Sequence, residues 1–388
     1  MEANKKNFLE LHQNRHARID SGIVDHEYRI HIEEYFQELL CLERKRSERS
    51  RKPFVLMRVS FDGDFPGHQA FTIRKIVEVL ATATRETDVM GWISRERMIG
   101  VIFTDISEEQ VDLAREHIDH KVRGSLASHL PDAVVDRLTI TYQVYPEKYD
   151  QTGRGEPFNM LFYPDVLEQN SSHRAGDFLK RLMDIVGSLF GLLVFSPLFL
   201  VIALAVRITS PGPVLFRQER YGQYGKRFVF LKFRSMKVDN DDAIHRAFVS
   251  KLIRAGGDGG GEQDGECGEK VYKITKDPRV TPLGQFLRKT SLDELPQFVN
   301  VLKGEMSLVG PRPPIPYELE SYDAWHRHRL LGTKPGITGL WQVKGRSSTS
   351  FDSMVRLDLQ YIREWSIWLD IKLLLQTPLA VLKGKGAY

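Results

Sequence analysis

The sequence predicts an α+β protein: a soluble α/β sandwich, a membrane-inserted helical hairpin, and a mostly helical α+β domain. Three observations predict it. Residues 53–148 follow the order strand–helix–strand–strand–helix–strand, which forms a sheet with helices on one face. Residues 180–207, KRLMDIVGSLFGLLVFSPLFLVIALAVR, carry only Asp184 as a charge between Arg181 and Arg207, too much hydrocarbon for a soluble surface. Residues 277–316 gather carboxylates, arginines and prolines into the chain's densest block of unusual residues.

Composition bounds the reading. With 388 residues there is room for two domains besides the membrane element. A hydrophobic content of 41% keeps that element local in an otherwise water-soluble chain. The net charge of +4 is too mild to argue for nucleic acid as a partner. Cys41 and Cys267 give neither a disulfide framework nor a metal quartet. The opening segment MEANKKNFLELHQNRHARID lacks the apolar core of a signal peptide, so the N-terminal half is expected to start in the cytoplasm.

Residues 1–52 are an N-terminal helix and linker. Within residues 26–48, Ile30, Ile32, Tyr35, Phe36, Leu39, Leu40 and Leu42 recur at helical spacing. That pattern suits a partner or coiled-coil helix and makes a homodimer an expectation. In residues 53–148, PFVLMRVSF is a strand and residues 68–83 a helix. Residues 88–93 and 98–103 are strands joined by Ser94-Arg95-Glu96-Arg97, residues 108–122 a second helix, and LTITYQVY the last strand. Asp62 and Asp64, after the first strand, are metal ligands or exposed loop carboxylates. Residues 149–177, rich in Gly, Ser, Asn and Pro, are a linker.

Residues 178–209 are the membrane element. Ser196-Pro197 falls near its middle, and proline removes a backbone donor and clashes with the preceding turn. Split there, each half covers roughly 20 Å at about 1.5 Å per residue, short of a ~30 Å hydrocarbon core. Basic residues flank both ends, so charge assigns no direction of crossing. Two readings stand: a kinked single-pass helix, or a helix that breaks at Ser196 and Pro197 and returns to the side it entered. The second keeps both soluble parts on one face, with the Ser196 hydroxyl available to backbone left unpaired.

Residues 210–388 form the last domain. Residues 214–218 and 228–233 are extended, and the turn from Gly222 to Gly225 is a phosphate cradle or a plain hairpin. Residues 256–268 are a Gly- and acid-rich surface loop. Beyond it, Asp293 and Glu294 stand between Arg288-Lys289 and Arg312. Carboxylates among cations suit metal-assisted phosphoryl chemistry, with oxygen ligands for Mg²⁺ and arginines for phosphate. Ser291-Leu292-Asp293-Glu294 also fits a capping box at a helix start. Trp325-His326-Arg327-His328-Arg329 reads as a basic helix face rather than a metal site. Residues 361–382, with Trp365 and Trp368, are amphipathic and suit either the headgroup zone or the domain's own core.

Over residues 178–388 the ordered motifs KRLMDIVGS, RQERYGQYGKRFVFLKFRSM, DPRVTPLGQFLRKTSLDELPQFVNVLKGEMSLVGPRP and KPGITGLWQVKGR resemble the bacterial sugar transferase family of monotopic polyprenyl-phosphate phosphoglycosyl transferases. The resemblance implies a re-entrant hairpin in the inner membrane, among membrane lipids, with the soluble domains facing the cytoplasm. It implies transfer of a hexose 1-phosphate from a UDP-sugar to polyprenyl (undecaprenyl) phosphate with release of UMP, the first membrane step of exopolysaccharide, O-antigen or glycoconjugate synthesis. Asp293 then corresponds to the nucleophile of a covalent phosphosugar intermediate, and Glu294 to its partner in holding Mg²⁺. Arg288, Arg312, Arg279 and Arg346 are the candidate phosphate contacts.

Residues 53–148 resemble the diguanylate-cyclase-like branch of the nucleotide cyclase (ferredoxin-like) fold in Phe61-Asp62-Gly63-Asp64-Phe65 and Arg85-Glu86-Thr87-Asp88. That family's Gly-Gly-Asp/Glu-Glu-Phe hairpin reads Ser-Arg-Glu-Arg-Met here, without the glycines that admit a nucleotide phosphate. An inactive regulatory or dimerising module is expected. The competing functional reading is a membrane-tethered nucleotide-sensing scaffold of a polysaccharide assembly system.

Overall fold

The computed structural model describes residues 22–61, 63, 69–147, 158–166, 174–237, 246, 279–344 and 350–382. The chain divides into two compact units, Met1–Lys148 with Asn159–Asp165, and Tyr149–Phe158 with Val166–Tyr388. Asp62, Asp64, Arg346 and the Gly-rich run at 256–268 lie outside the described residues.

In the first unit α1 (Glu33–Ser50) precedes β1 (Phe54–Phe61), α2 (Gln69–Ala83), β2 (Val89–Ser94), β3 (Met98–Phe103), α3 (Val111–His129) and β4 (Leu138–Tyr145). The strands form an antiparallel sheet in the order β2-β3-β1-β4. Alternation along β1 sends Val55, Met57 and Val59 into a core with Ile73, Ile76 and Leu80 of α2 and Val122 and Leu126 of α3. This is the strand and helix order expected from the sequence.

The opposite sheet face is also covered, against the expectation of helices on one face. Gly91 of β2 and Gly100 of β3 are cross-strand partners, and Phe36 of α1 lies on both. A Cβ at Gly91 would come within 2.6 Å of that ring, and one at Gly100 within 2.5 Å. Phe36 and Leu40 are buried, so α1 lays this part of its apolar stripe on its own sheet, while Leu42 of the same stripe stays exposed. The helix begins at Glu33, later than the periodicity suggests. Arg29 is left-handed at φ 61°, and His31 pairs with β2 through His31 N–H to Met90 O at 3.1 Å and Trp92 N–H to His31 O at 2.9 Å.

Part of the predicted linker belongs to this unit. Buried Arg44 donates through both terminal nitrogens to Asp165 at 2.9 and 2.8 Å, and Phe162 packs on Phe54 and Tyr145. The turn Ser94-Arg95-Glu96-Arg97 is tied down as well: Arg95 pairs with Asp25 at 3.3 Å, and Tyr28 donates to Glu96 at 3.4 Å.

The second unit contains α4 (Arg174–Thr209), β5 (Leu215–Tyr221), β6 (Arg227–Phe233), α5 (Pro282–Thr290), α6 (Gln297–Lys303), β7 (Ser307–Val309), β8 (Gly336–Thr338), α7 (Phe351–Arg363) and α8 (Ile367–Leu382). β5 and β6 form an antiparallel hairpin, with Gly222 N–H on Lys226 O at 2.8 Å, so the Gly-rich turn closes a plain hairpin. β7 and β8 are parallel. Phe228, Phe230, Val301, Met306, Leu340, Tyr361 and Leu373 fill the core.

Gly176–Thr209 is the one helix among the described residues long and apolar enough to cross a membrane. The break expected at Ser196-Pro197 does not interrupt it: α4 is helical from Arg174 to Thr209 with Pro197 inside. Proline leaves the Leu193 carbonyl without its usual donor four residues on. Ser196 Oγ–H donates to that carbonyl at 2.8 Å, so the hydroxyl replaces the missing amide. Leu193, Leu200, Leu204 and Ile208 remain exposed.

Both ends of α4 are fastened to the same unit. Lys180 Nζ donates to Asp370 at 2.6 Å and to Val309 O at 3.0 Å, while Asp184 accepts from Ser307 Oγ and Leu308 N–H at 2.9 and 2.8 Å. Past the C-terminal end, Arg234 donates to Ser210 O and Pro211 O at 2.6 and 2.8 Å. α8 shares itself between both expectations, with Asp370 and Leu373 buried and Trp368, Leu375 and Leu379 exposed. Residues 325–329 are not a basic face. His326 and Arg329 are buried, within 3.1 Å of Asp352 and 2.6 Å of Asp358 respectively.

Candidate active site

The site begins where α5 meets the end of β6. Thr281 caps α5 by accepting from Gly284 N–H at 3.0 Å. A Cβ at Gly284 would stand 2.0 Å from Ser235 O, so glycine is what lets the helix come this close. One turn later, on the same helix face, Arg288 Nε donates to Ser235 Oγ at 2.9 Å.

Ser291 ends α5 in the left-handed region at φ 56°. It reverses the chain, so that Leu292–Glu294 form one 3₁₀ turn packed against β6 instead of prolonging a helix. Leu292 and Leu295 enter the cluster around Phe233 and Leu287. Asp293, between them, is only 6% exposed. Ser291 makes no side-chain cap, which removes the capping-box reading of Ser291 and Glu294.

The β5–β6 hairpin supplies cations. Phe216 pairs with Lys232, Gln218 with Phe230 and Arg220 with Phe228, so alternation puts Lys232 and Arg220 on one face. Each is stacked on a ring: Lys232 Nζ lies 5.2 Å from the Phe216 centroid, and Arg220 Cζ 4.2 Å from that of Phe230. Burial pulls the Lys232 ammonium down to about 8; Asp293 and Glu294 favour its charge, and Arg220 and Arg288 oppose it. Arg220, Arg288, Asp293 and Glu294 therefore all act on Lys232 and cluster around it.

Of the residues chosen from sequence, Asp293, Glu294 and Arg288 come together here. Arg312 lies on the segment after β7, which Arg220 joins to the cluster by donating to Pro313 O at 2.7 Å. Arg279 is buried beside the bridge between Met236 and Val280, its carbonyl accepting from Lys237 N–H at 3.0 Å. Arg346 lies outside the described residues. Lys232 and Arg220 lie outside the sequence-predicted site. The available signal was two cations at same-face positions of paired strands, legible only once the register is known.

The donor set bears on a metal. Among the described residues no group of three or more His, Cys, Asp and Glu side chains converges. Asp293 and Glu294 offer two hard oxygen donors, the small protein contribution that Mg²⁺ takes when substrate phosphates complete its shell. The residues present fit such a shared site.

Comparison with known proteins assigns the family. Residues 175–384 match the family model described as bacterial sugar transferase. The chain is 44% identical over 218 residues to the UDP-glucose:undecaprenyl-phosphate glucose-1-phosphate transferase of Escherichia coli (strain K12), covering 54% of this chain and 41% of that one. It is 39% identical over 228 residues to the exopolysaccharide production protein ExoY of Rhizobium meliloti (strain 1021), covering 59% of this chain and 95% of that one. Against four other relatives the chain spans 43% to 45% of their length. Among solved structures, a diguanylate cyclase protein from Thermotoga maritima is similar at 18% identity and a TM-score of 0.26, over 32% of this chain and 87% of that one.

Proposed function

Because the chain belongs to the bacterial sugar transferase family, we propose that it moves a hexose 1-phosphate from a UDP-sugar to polyprenyl phosphate and releases UMP. The observation that carries this reading is Asp293, a buried carboxylate held on a strained turn among Lys232, Arg220 and Arg288. In the first step a carboxylate oxygen of Asp293 attacks the phosphorus that bears the sugar, and the bond to the UMP oxygen breaks. In the second, an oxygen of the polyprenyl phosphate attacks that phosphorus, giving polyprenyl-diphospho-sugar and restoring the carboxylate. Splitting one displacement into two predicts ping-pong kinetics.

The cations carry the remaining work. Arg288 and Arg312 bind phosphate oxygens, and Lys232 offsets the charge gathered on the diphosphate. Asp293 and Glu294 would hold Mg²⁺, which supplies further charge neutralisation toward the departing UMP.

The same reading places the protein monotopically on the cytoplasmic face of the inner membrane, with α4 re-entrant. Its support is that Lys180 and Asp184 near one end of the apolar run, and Ser210 and Pro211 beyond the other, are gripped by one unit. Asp293→Asn in the full chain, in detergent or nanodiscs, is expected to abolish UMP release from UDP-sugar. Wild-type turnover in that variant would overturn the nucleophile, whereas no UMP release by the unaltered chain would favour a non-catalytic scaffold.

A further inference from the structure

The segment Gly310-Pro311-Arg312-Pro313-Pro314 can offer few backbone donors, since its three prolines have no N–H. It is held instead through its acceptors. Pro311 O takes Gly336 N–H at 2.9 Å, Arg312 O takes Arg329 Nη2 at 2.9 Å, Pro313 O takes Arg220 Nη1 at 2.7 Å, and Pro314 O takes Tyr221 N–H at 3.1 Å. Four successive carbonyls are thus pinned by β8, by the turn at residues 328–330, and by β5.

The pin on Arg312 itself differs from the others. Arg329 is a buried side chain whose charge is matched by a second buried charge, Asp358 of α7, at 2.6 Å, and both side chains are 1% exposed. Arg329 Nη1 also donates to Tyr322 Oη at 3.3 Å. Burial pushes the Asp358 carboxyl up to about 6, and the cations that oppose this are Arg329 and Arg312. A buried ion pair contributes little net stability compared with apolar residues of the same volume, so a role in stability alone explains it poorly.

We propose that Arg329 and Asp358 are positioning residues for Arg312: Arg329 fixes the Arg312 backbone, and Asp358 holds Arg329 in place. Neither touches substrate. The proposal rests on the reading of Arg312 as a phosphate contact and adds what keeps that contact at one bearing.

A double-mutant cycle separates this from simple fold support. With the full chain in nanodiscs and UMP release as the readout, Asp358→Asn is expected to lower kcat/KM for UDP-sugar by about 10- to 100-fold, as misplacement of a substrate contact does. In an Arg312→Ala background the same substitution is expected to change kcat/KM by less than about twofold, because the residue it acts through is gone. Equal losses in both backgrounds would mean fold support only and would overturn the proposal. An Arg312→Ala variant as active as wild type would instead overturn the phosphate-contact reading, and the proposal with it. If Asp358→Asn does not fold, Arg329→Lys serves in the same cycle: it keeps a charge for Asp358 but lacks the fork that also reaches Arg312 O.

Discussion

Lys232 should impose an alkaline limit on the reaction, and its surroundings allow that limit to be worked out. Its ammonium is held at about 8 by burial and by Arg220 and Arg288, against the pull of Asp293 and Glu294. If the charged form offsets phosphate charge, kcat/KM, which reports the free enzyme, declines with a midpoint near pH 8. One unit higher, about a tenth of the enzyme keeps the proton, so UMP release near pH 9 is expected to be about tenfold below its plateau. Stability moves the other way. The folded-state value lies below the ordinary 10.5, so between about 8 and 10.5 the unfolded chain binds more protons and Lys232 contributes rising stability with pH. Lys232 thus gives no reason for the chain to unfold over that range, and a thermal midpoint measured alongside separates loss of charge from loss of fold. Lys232→Arg, always protonated, should retain activity and lose the limb; Lys232→Met should be poorly active throughout. A wild-type profile flat from about pH 7 to about pH 9.5, or an unchanged limb in Lys232→Arg, would refute the assignment.

Asp370→Asn leaves the Lys180 ammonium buried without its counter-charge, and breaking such a pair costs about 3–5 kcal/mol, read as a lowered thermal midpoint in detergent. Lys180→Met added to Asp370→Asn is expected to recover part of that loss, because it removes the unpaired charge while the asparagine oxygen can still accept from Tyr361 or Trp365; no recovery at all would argue against the lone ammonium as the cause. In a background without Cys41 and Cys267, single cysteines at positions 174 and 217 should react with an impermeant maleimide from the same side of sealed vesicles. Reaction from opposite sides would make α4 a crossing helix.

The parts of the fold that were legible are those whose pattern is local. β1 and β4 alternate or run apolar over their full length, and the helices around Ile76 and Val122 carry a periodic face, so their order and approximate bounds can be read directly. What escaped depends on contacts distant in sequence. The apolar stripe of α1 says that it must be covered, but not that Gly91 and Gly100 leave a seat for Phe36. Arg44 looks like one cation among many until Asp165 is placed on it. The site divides in the same way. Asp293 and Glu294 stand out because adjacent carboxylates among arginines are unusual, yet the left-handed Ser291 that takes them out of a helix has no sequence signature, serine being uncommon in that conformation. Lys232 was visible only as part of a basic, aromatic strand.

Proline predicts a break because it removes a donor, but the Ser196 hydroxyl, expected to serve backbone left unpaired at a bend, instead mends a continuous helix. With Ser196 Oγ on the Leu193 carbonyl, the orphaned acceptor is satisfied within the helix, and a proline at this depth no longer exposes unpaired backbone to hydrocarbon. Helical continuity through Pro197 is therefore compatible with either topology, and the decision moves to what holds the ends. Arg181 donates to Val301 O and Leu302 O at the C-terminal end of α6, while Ile202 packs on Phe233 of β6. α6 and β6 are themselves joined, since Asn300 accepts from Leu231 N–H at 3.1 Å and donates to Val229 O at 2.7 Å. Stretches on both sides of the proline are thus held by two elements in direct contact. A helix crossing a bilayer core of ~30 Å would have to carry that hairpin, with Arg217 and Glu219 on β5, into the hydrocarbon to keep both grips. Charged strands are not stable there, which supports the proposed reading of α4 as re-entrant.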